Sequence, residues 1–282
     1  MDVVICVALK DCLFLRKNLF FIKKNLNPEN IYIISKKRNF KLLPKDSNII
    51  FIEEDKLLEG LSFTRVKSII DKYLSNHLYG WYFQQFLKLA FALSKYAKDE
   101  YLVWDADTVP LVPLSFHNDN GQTLILPKKE YHKPYHDTIK RLFPITRTAP
   151  FSFISEHMMF DVQIVQEMLR KIELSSKEGY IWFEQCVAAR NEDVLQVFSE
   201  FETYGTYCLN YHPDKLCPRH LKTFRFGSKI FGIIASMKEI ESLSFDLDTV
   251  SFEIRDLPIS WHRRIIQWLL YMGCRIIIKL GI

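Results

Sequence analysis

Tyr101-Leu-Val-Trp-Asp-Ala-Asp-Thr-Val-Pro-Leu111 decides how the rest of this chain is read. Leu102, Val103 and Trp104 form an apolar run of the kind that fills a central parallel strand. Two carboxylates, Asp105 and Asp107, close it. Alternate residues on extended backbone point to the same side, so both acids are expected to face one divalent cation at the strand's exit. Carboxylate oxygens are hard ligands that suit Mn²⁺ or Mg²⁺. Pro110 and Pro113 predict that the chain leaves the sheet just after the acids. Acids at the carboxyl end of a central strand stand where open α/β sheets bind ligands. A strand end carrying two solvated acids is the competing reading of so short a motif.

Upstream, residues 3–9 read as a buried strand, 12–25 as a lysine-rich helix, and 30–35 and 48–52 as two more strands. That strand–helix–strand rhythm predicts parallel pairing and an α/β fold. Residues 64–74 are predicted helical. The span 81–97 is predicted as a long helix, with Phe83, Phe86, Leu87, Ala90 and Phe91 as its core stripe. Gln85 and Lys88 share another face of it. With Gln84 they are candidates to bond phosphate or ribose, the alternative being a polar outer face.

Downstream, 123–126 is a short strand. Residues 150–160 read as an apolar strand interrupted by Ser155, Glu156 and His157. Buried acid and imidazole are costly unless paired or used. Residues 162–172 and 182–189 are helices. Near 197–207 a strand is expected to meet a helix, where Ser199 and Glu202 have capping-box spacing. That structural duty competes with a catalytic one for Glu202 and leaves Glu200 unexplained. Residues 227–252 read as strand and loop.

A final helix is expected from about 259 to 279. Its apolar residues cover much of the circumference, and Arg263, Arg264, Arg275 and Lys279 flank them. Its uncharged core, 265–274, is too short to span a bilayer. It either lies in a membrane interface or docks on the domain. The expected division is a catalytic domain over 1–258 and this basic amphipathic helix over 259–282.

Composition sets the outer bounds. The 282 residues are 48% hydrophobic and 25% charged, which is ordinary for a globular chain. Nine Gly and no Gly/Ser-rich stretch argue against a flexible linker. The net charge of +5 fits anionic ligands or an anionic membrane surface. No basic stripe with interleaved aromatics calls for nucleic acid. The six Cys form no Cys-x-x-Cys pair, which excludes the common zinc spacings. Scattered Cys and an acidic start without signal-peptide features predict a cytoplasmic protein. The lack of a phosphate-cradling Gly-rich loop disfavours a P-loop phosphotransferase.

Six segments in order carry a resemblance. They are Gly80-Trp-Tyr-Phe-Gln-Gln-Phe-Leu-Lys88, Tyr101-Leu-Val-Trp-Asp-Ala-Asp-Thr108, Tyr131-His-Lys-Pro-Tyr135, Ser155-Glu-His-Met-Met-Phe160, Ser199-Glu-Phe-Glu-Thr-Tyr204 and Tyr211-His-Pro213. The set resembles a little-characterised bacterial family of GT-A-like glycosyltransferase proteins found among cell-surface polysaccharide genes. The resemblance implies a GT-A-like (Rossmann-like), mostly parallel mixed sheet flanked by helices. It also implies a transferase that uses a nucleotide-sugar donor, expected to be UDP-linked, and a glycan or lipid-linked oligosaccharide acceptor.

By position, Asp105 and Asp107, with Ala106 between them, would hold Mn²⁺ or Mg²⁺ on the donor diphosphate. Ala8 and Lys10, after the first strand, and Gln84, Gln85 and Lys88 would contact the donor. His262, with His220 as the other late candidate, would complete the metal shell. Glu202, then Glu200, would be the catalytic carboxylate. Glu156, His157 and Tyr135 would face the acceptor. The final helix would bring the site to the inner membrane surface. A catalytically silent nucleotide-binding scaffold of a polysaccharide assembly complex is the alternative.

Overall fold

The computed structural model describes residues 1–75, 77–145, 149–191 and 193–280, without the side chains of Tyr271 and residues 274–280. The cations foreseen at Arg275 and Lys279 therefore lie outside the described side chains. In chain order the first half comprises β1 (Asp2–Cys6), α1 (Cys12–Leu26), β2 (Ile31–Ser35), β3 (Ile49–Glu53), α2 (Phe63–Tyr73), α3 (Tyr79–Ala90), β4 (Glu100–Trp104), β5 (Thr108–Pro110), β6 (Thr123–Ile125) and α4 (Lys133–Leu142). The second half comprises β7 (His157–Asp161), α5 (Val162–Leu174), α6 (Trp182–Ala188), α7 (Glu200–Tyr211), β8 (Leu216–Pro218), β9 (Thr223–Phe224), α8 (Gly227–Phe231), α9 (Met237–Ser242), β10 (Thr249–Ser251) and α10 (Trp261–Leu280). The fold is α/β, with a mostly parallel mixed sheet flanked by helices.

The chain forms two compact units. The first gathers Met1–Glu53, Trp104–Ser115 and the chain from His220 onward. Here β3, β2 and β1 lie side by side, with Val3 opposite Ile31 and Ile31 opposite Ile49, all parallel. The β1 residues are fully buried or nearly so, which explains why they read as one apolar run with no alternation. α1 ends where Asn27 turns left-handed at φ 45°, a conformation that Asn tolerates at helix ends. A second, three-stranded sheet runs β5-β10-β9, antiparallel at the first pair and parallel at the second. Its core joins Phe14 and Phe21 of α1 to Val109, Leu111, Val250 and Phe252.

The second unit gathers Glu54–Val103 and Phe116–Arg219. In it β4 neighbours β7, and β6 pairs parallel with β8. Aromatic side chains fill the interior: Phe86 packs on Phe183 and Phe198, and Tyr101 meets Phe160 edge-on at 5.5 Å. Each fully buried ring of this kind contributes about 1.5–3 kcal/mol.

Four elements differ from the sequence reading. α3 stops at Ala90 and tightens over Phe91–Leu93, because the main-chain N–H and side-chain hydroxyl of Ser94 both donate to the Phe91 carbonyl. The strand foreseen across 150–160 forms only from His157 onward. Before it, Ser152 and Ser155 turn their hydroxyls to a carboxylate and a carbonyl within the unit. Among the described residues no strand leads directly into α7: the Val197 N–H bonds the Tyr82 hydroxyl at 3.0 Å. The strand-and-loop span 227–252 contains two helices, α8 and α9, the latter opened by a complete Ser236/Glu239 capping box.

Candidate functional site

Asp105 and Asp107 stand in a turn between β4 and β5, where the Thr108 N–H donates to the Asp105 carbonyl at 3.1 Å. This corrects the picture of extended backbone carrying both acids. Pro110 is likewise a strand residue, at the end of β5. There it occupies an edge position that needs no ladder N–H.

The turn is fastened through its main chain. From α1, the Asn18 side chain donates to the carbonyls of Ala106 (3.0 Å) and Thr108 (2.7 Å), and two turns later Asn25 donates to Pro110 O (2.7 Å). The Trp104 indole donates to Thr108 O at 2.6 Å, and the Phe252 N–H to Asp107 O at 2.8 Å. The Thr108 and Ser251 hydroxyls bond across β5 and β10 at 2.8 Å.

Within this unit the acids crowd one another. Burial raises the Asp107 carboxyl well above its usual range, and the charges of Asp105, Asp11 and Glu253 push it further, with Lys10 opposing. Asp11 is raised to about 6, first by burial and then by Asp105 and Glu253, again against Lys10. Lys10 is half exposed, with its ammonium 3.9 Å from Asp11, and Ala8 is exposed beside it. Glu253 contacts Arg255. The donor set is hard oxygen with excess negative charge, which is the chemistry a divalent cation fits. Among the described residues no ready-made cluster of three or more His, Cys, Asp or Glu ligands is found. The two late histidines foreseen for the metal shell are both exposed, and His262 stacks on Trp261 with centroids 3.6 Å apart.

In the second unit, the buried acids have cationic or hydrogen-bonding partners. Gln85 and Lys88 lie in the interior, which corrects the alternative of a polar outer face; Gln84 is half-buried. Lys88 Nζ meets Glu200 at 2.8 Å, lies 4.5 Å from the centroid of the Phe201 ring, and both members of the pair are about 6% exposed. The Glu200 N–H donates to Gln85 Oε1 at 3.1 Å. Ser199 caps α7 by accepting from the Glu202 N–H. The Glu202 carboxylate accepts from the Ser152 hydroxyl (2.6 Å) and the Phe153 N–H (2.9 Å), with His136 Nε2 at 3.6 Å. Both glutamates sit in the first turn of α7, where the helix dipole favours anions.

Gly205 makes that approach possible. A Cβ there would come within 2.2 Å of the Phe153 ring. Glu156 pairs with Lys128 at 3.1 Å. Arg219 Nη2 lies 3.0 Å from His157 Nε2. A guanidinium can only donate, so Nε2 accepts and the imidazole proton resides on Nδ1. Burial, then Arg219 and Lys128, hold the His157 pKa well below its ordinary value, in keeping with a neutral ring. Tyr135 is buried, and its phenol is pushed up by burial and then by the charge of Glu200.

Asp11, Glu253, Asn18, Asn25, Gly205, His136, Lys128 and Arg219 were not singled out by sequence reasoning. Asn18 and Asn25 left a signal, two amides seven residues apart on a helix whose other buried positions are almost all apolar. Glu253 left none, because only tertiary structure brings it to the turn.

A family model described as "Family of unknown function (DUF6492)" matches residues 13–226. No curated protein matches the chain. Solved structures similar to it include two glycosyltransferases. Mouse xyloside xylosyltransferase 1, in its apo form, has 14% identity, covers 91% of this chain and 99% of its own, and gives a TM-score of 0.48. The galactosyltransferase LgtC, in complex with donor and acceptor sugar analogs, has 10% identity, covers 97% of this chain and 95% of its own, and gives a TM-score of 0.45.

Proposed function

We propose that this chain, which belongs to the DUF6492 family, is a glycosyltransferase that moves a sugar from a nucleotide-sugar donor to a glycan or lipid-linked acceptor in surface polysaccharide synthesis. The observation that carries the reading is the gathering of Asp11, Asp105, Asp107 and Glu253 at the Asp105–Asp107 turn, where burial and the neighbouring charges raise the Asp107 and Asp11 carboxyls. Asp105 and Asp107 would hold Mn²⁺ or Mg²⁺. When bound, the cation supplies positive charge that offsets the leaving nucleoside diphosphate. Asp11 and Glu253 deepen the negative potential that attracts it, and exposed Lys10 adds a cation for donor phosphate.

On the acceptor side, Glu202 is the first choice for the carboxylate that takes the hydroxyl proton in an inverting reaction, with Glu200 second. If the reaction retains configuration, the same carboxylate steadies an oxocarbenium-like centre. His157, kept neutral, and Glu156 and Tyr135 are assigned to acceptor positioning. Gln84, Gln85 and Lys88 keep their donor-side assignment, and for Gln85 and Lys88 it acts through Glu200, which both contact.

One observation favours a second reading: Glu200 is held by Lys88, and Glu202 by Ser152 and Phe153. A chain whose candidate bases are so engaged could bind nucleotide without transferring sugar. Titration calorimetry with Mn²⁺ and UDP, beside a hydrolysis screen of sugar nucleotides, separates the cases. Transfer requires metal-dependent turnover that Asp107→Ala abolishes. Binding without turnover supports the scaffold. If the intact chain binds neither metal nor nucleotide, both readings fail.

A further inference from the structure

α10 docks the wrong way round for a helix of a soluble domain. Such helices turn apolar side chains to the core and polar ones to water. Here the side chains that reach the first unit are polar. Arg263 donates to Phe231 O at 2.7 Å and pairs with Glu239 at 2.6 Å. One turn on, Gln267 is 3% exposed, accepts from the Ile233 N–H at 3.1 Å and donates to Ile254 O at 3.1 Å.

At about 100° per residue, Arg263 and Gln267 share one face, Ile265, Trp268 and Leu269 lie on the opposite one, Ile266 flanks the docked face and Leu270 follows Gln267 along it. Those five side chains are between 44% and 60% exposed. Trp261 and Ile259 extend the patch at 62% and 78%. The helix carries Arg263, Arg264, Arg275 and Lys279 and no acidic residue. The helix thus has an apolar, tryptophan-bearing face and a net positive charge.

We propose that α10 is a surface-lying anchor that seats its apolar face in an anionic lipid bilayer while Arg263 and Gln267 hold it to the rest of the first unit. Three features choose the lipid. No helix among the described residues is long and apolar enough to cross a membrane, so the seating is interfacial. Tryptophan prefers the headgroup level. With Arg263 paired to Glu239, the helix still carries Arg264, Arg275 and Lys279 and no acid, a charge balance complementary to anionic headgroups. Docking on the domain and lying in the interface are then two faces of one helix rather than alternatives.

The test is flotation of the full chain with phosphatidylcholine vesicles, with and without phosphatidylglycerol. The chain is expected to float with the anionic vesicles at least tenfold more than with neutral ones. Trp261→Gln/Trp268→Gln/Leu269→Gln, which spares Arg263 and Gln267, is expected to lose that binding at least tenfold with an unchanged melting temperature. Three outcomes would overturn the proposal. One is no flotation of the intact chain with anionic vesicles. Another is a triple variant that binds as well as the parent. The third is a parent dimer by light scattering that the triple variant makes monomeric, which would assign the face to a second copy.

Discussion

The Lys88–Glu200 pair offers a test whose sign is set by burial. Its atoms are 2.8 Å apart and both side chains are about 6% exposed. Breaking such a pair by removing one partner costs about 3–5 kcal/mol, since a charge is left buried and uncompensated. In Lys88→Met the stranded carboxylate lies in the first turn of α7, whose dipole returns about 0.3–1 kcal/mol. The expected loss is therefore about 2–5 kcal/mol. Glu200→Gln keeps an acceptor for Lys88, which also lies near the Phe201 ring, so its loss is smaller, about 1–3 kcal/mol.

The double variant decides the matter. With Lys88 gone there is no cation to satisfy, and Glu200→Gln neutralises the stranded acid. The same substitution that destabilises the parent should stabilise the Lys88→Met background. Urea unfolding of the four proteins measures this directly, with the midpoints compared at constant slope. If the two losses simply add, within about 0.5 kcal/mol, the pair is not coupled and the reasoning is wrong.

Two further predictions concern the other unit's acids and the α7 approach. Because the folded pKa of Asp11 is raised to about 6, the native state binds its proton more tightly than the unfolded chain does. The metal-free protein should therefore lose stability as pH rises from about 4 to about 6, Asp11→Asn should flatten that slope in thermal melts, and a slope of opposite sign would refute it. Gly205→Ala improves helix propensity but drives a methyl into the Phe153 ring, so a net loss of about 1–3 kcal/mol is expected, partly recovered by Phe153→Leu; a raised melting temperature would contradict the packing.

What could be read from the sequence followed the range of the interaction. The β1–α1–β2–β3 succession was legible because apolar runs and 3.6-residue spacing are local signals. The same holds for the Ser199 cap on α7, three residues from the N–H it accepts. Glu202 illustrates the limit. Its spacing from Ser199 correctly marked a helix start, yet its carboxylate turns to Ser152 and Phe153, some fifty residues upstream. The stretch around Asp105 and Asp107 reads as extended backbone, since nothing in Trp-Asp-Ala-Asp-Thr reports that the distant Asn18 and Phe252 would hold it as a turn. α9 was missed although its Ser236–Glu239 capping box is a local signal, because the surrounding residues carry no long periodic stripe.

The clasp on that turn grips carbonyl oxygens: those of Ala106 and Thr108 by Asn18, that of Asp107 by Phe252. Carbonyls are common to every amino acid. The main-chain bonds there consequently do not depend on which side chains stand at 105 and 107. Asp107→Ala therefore leaves every one of these main-chain bonds its donor and its acceptor.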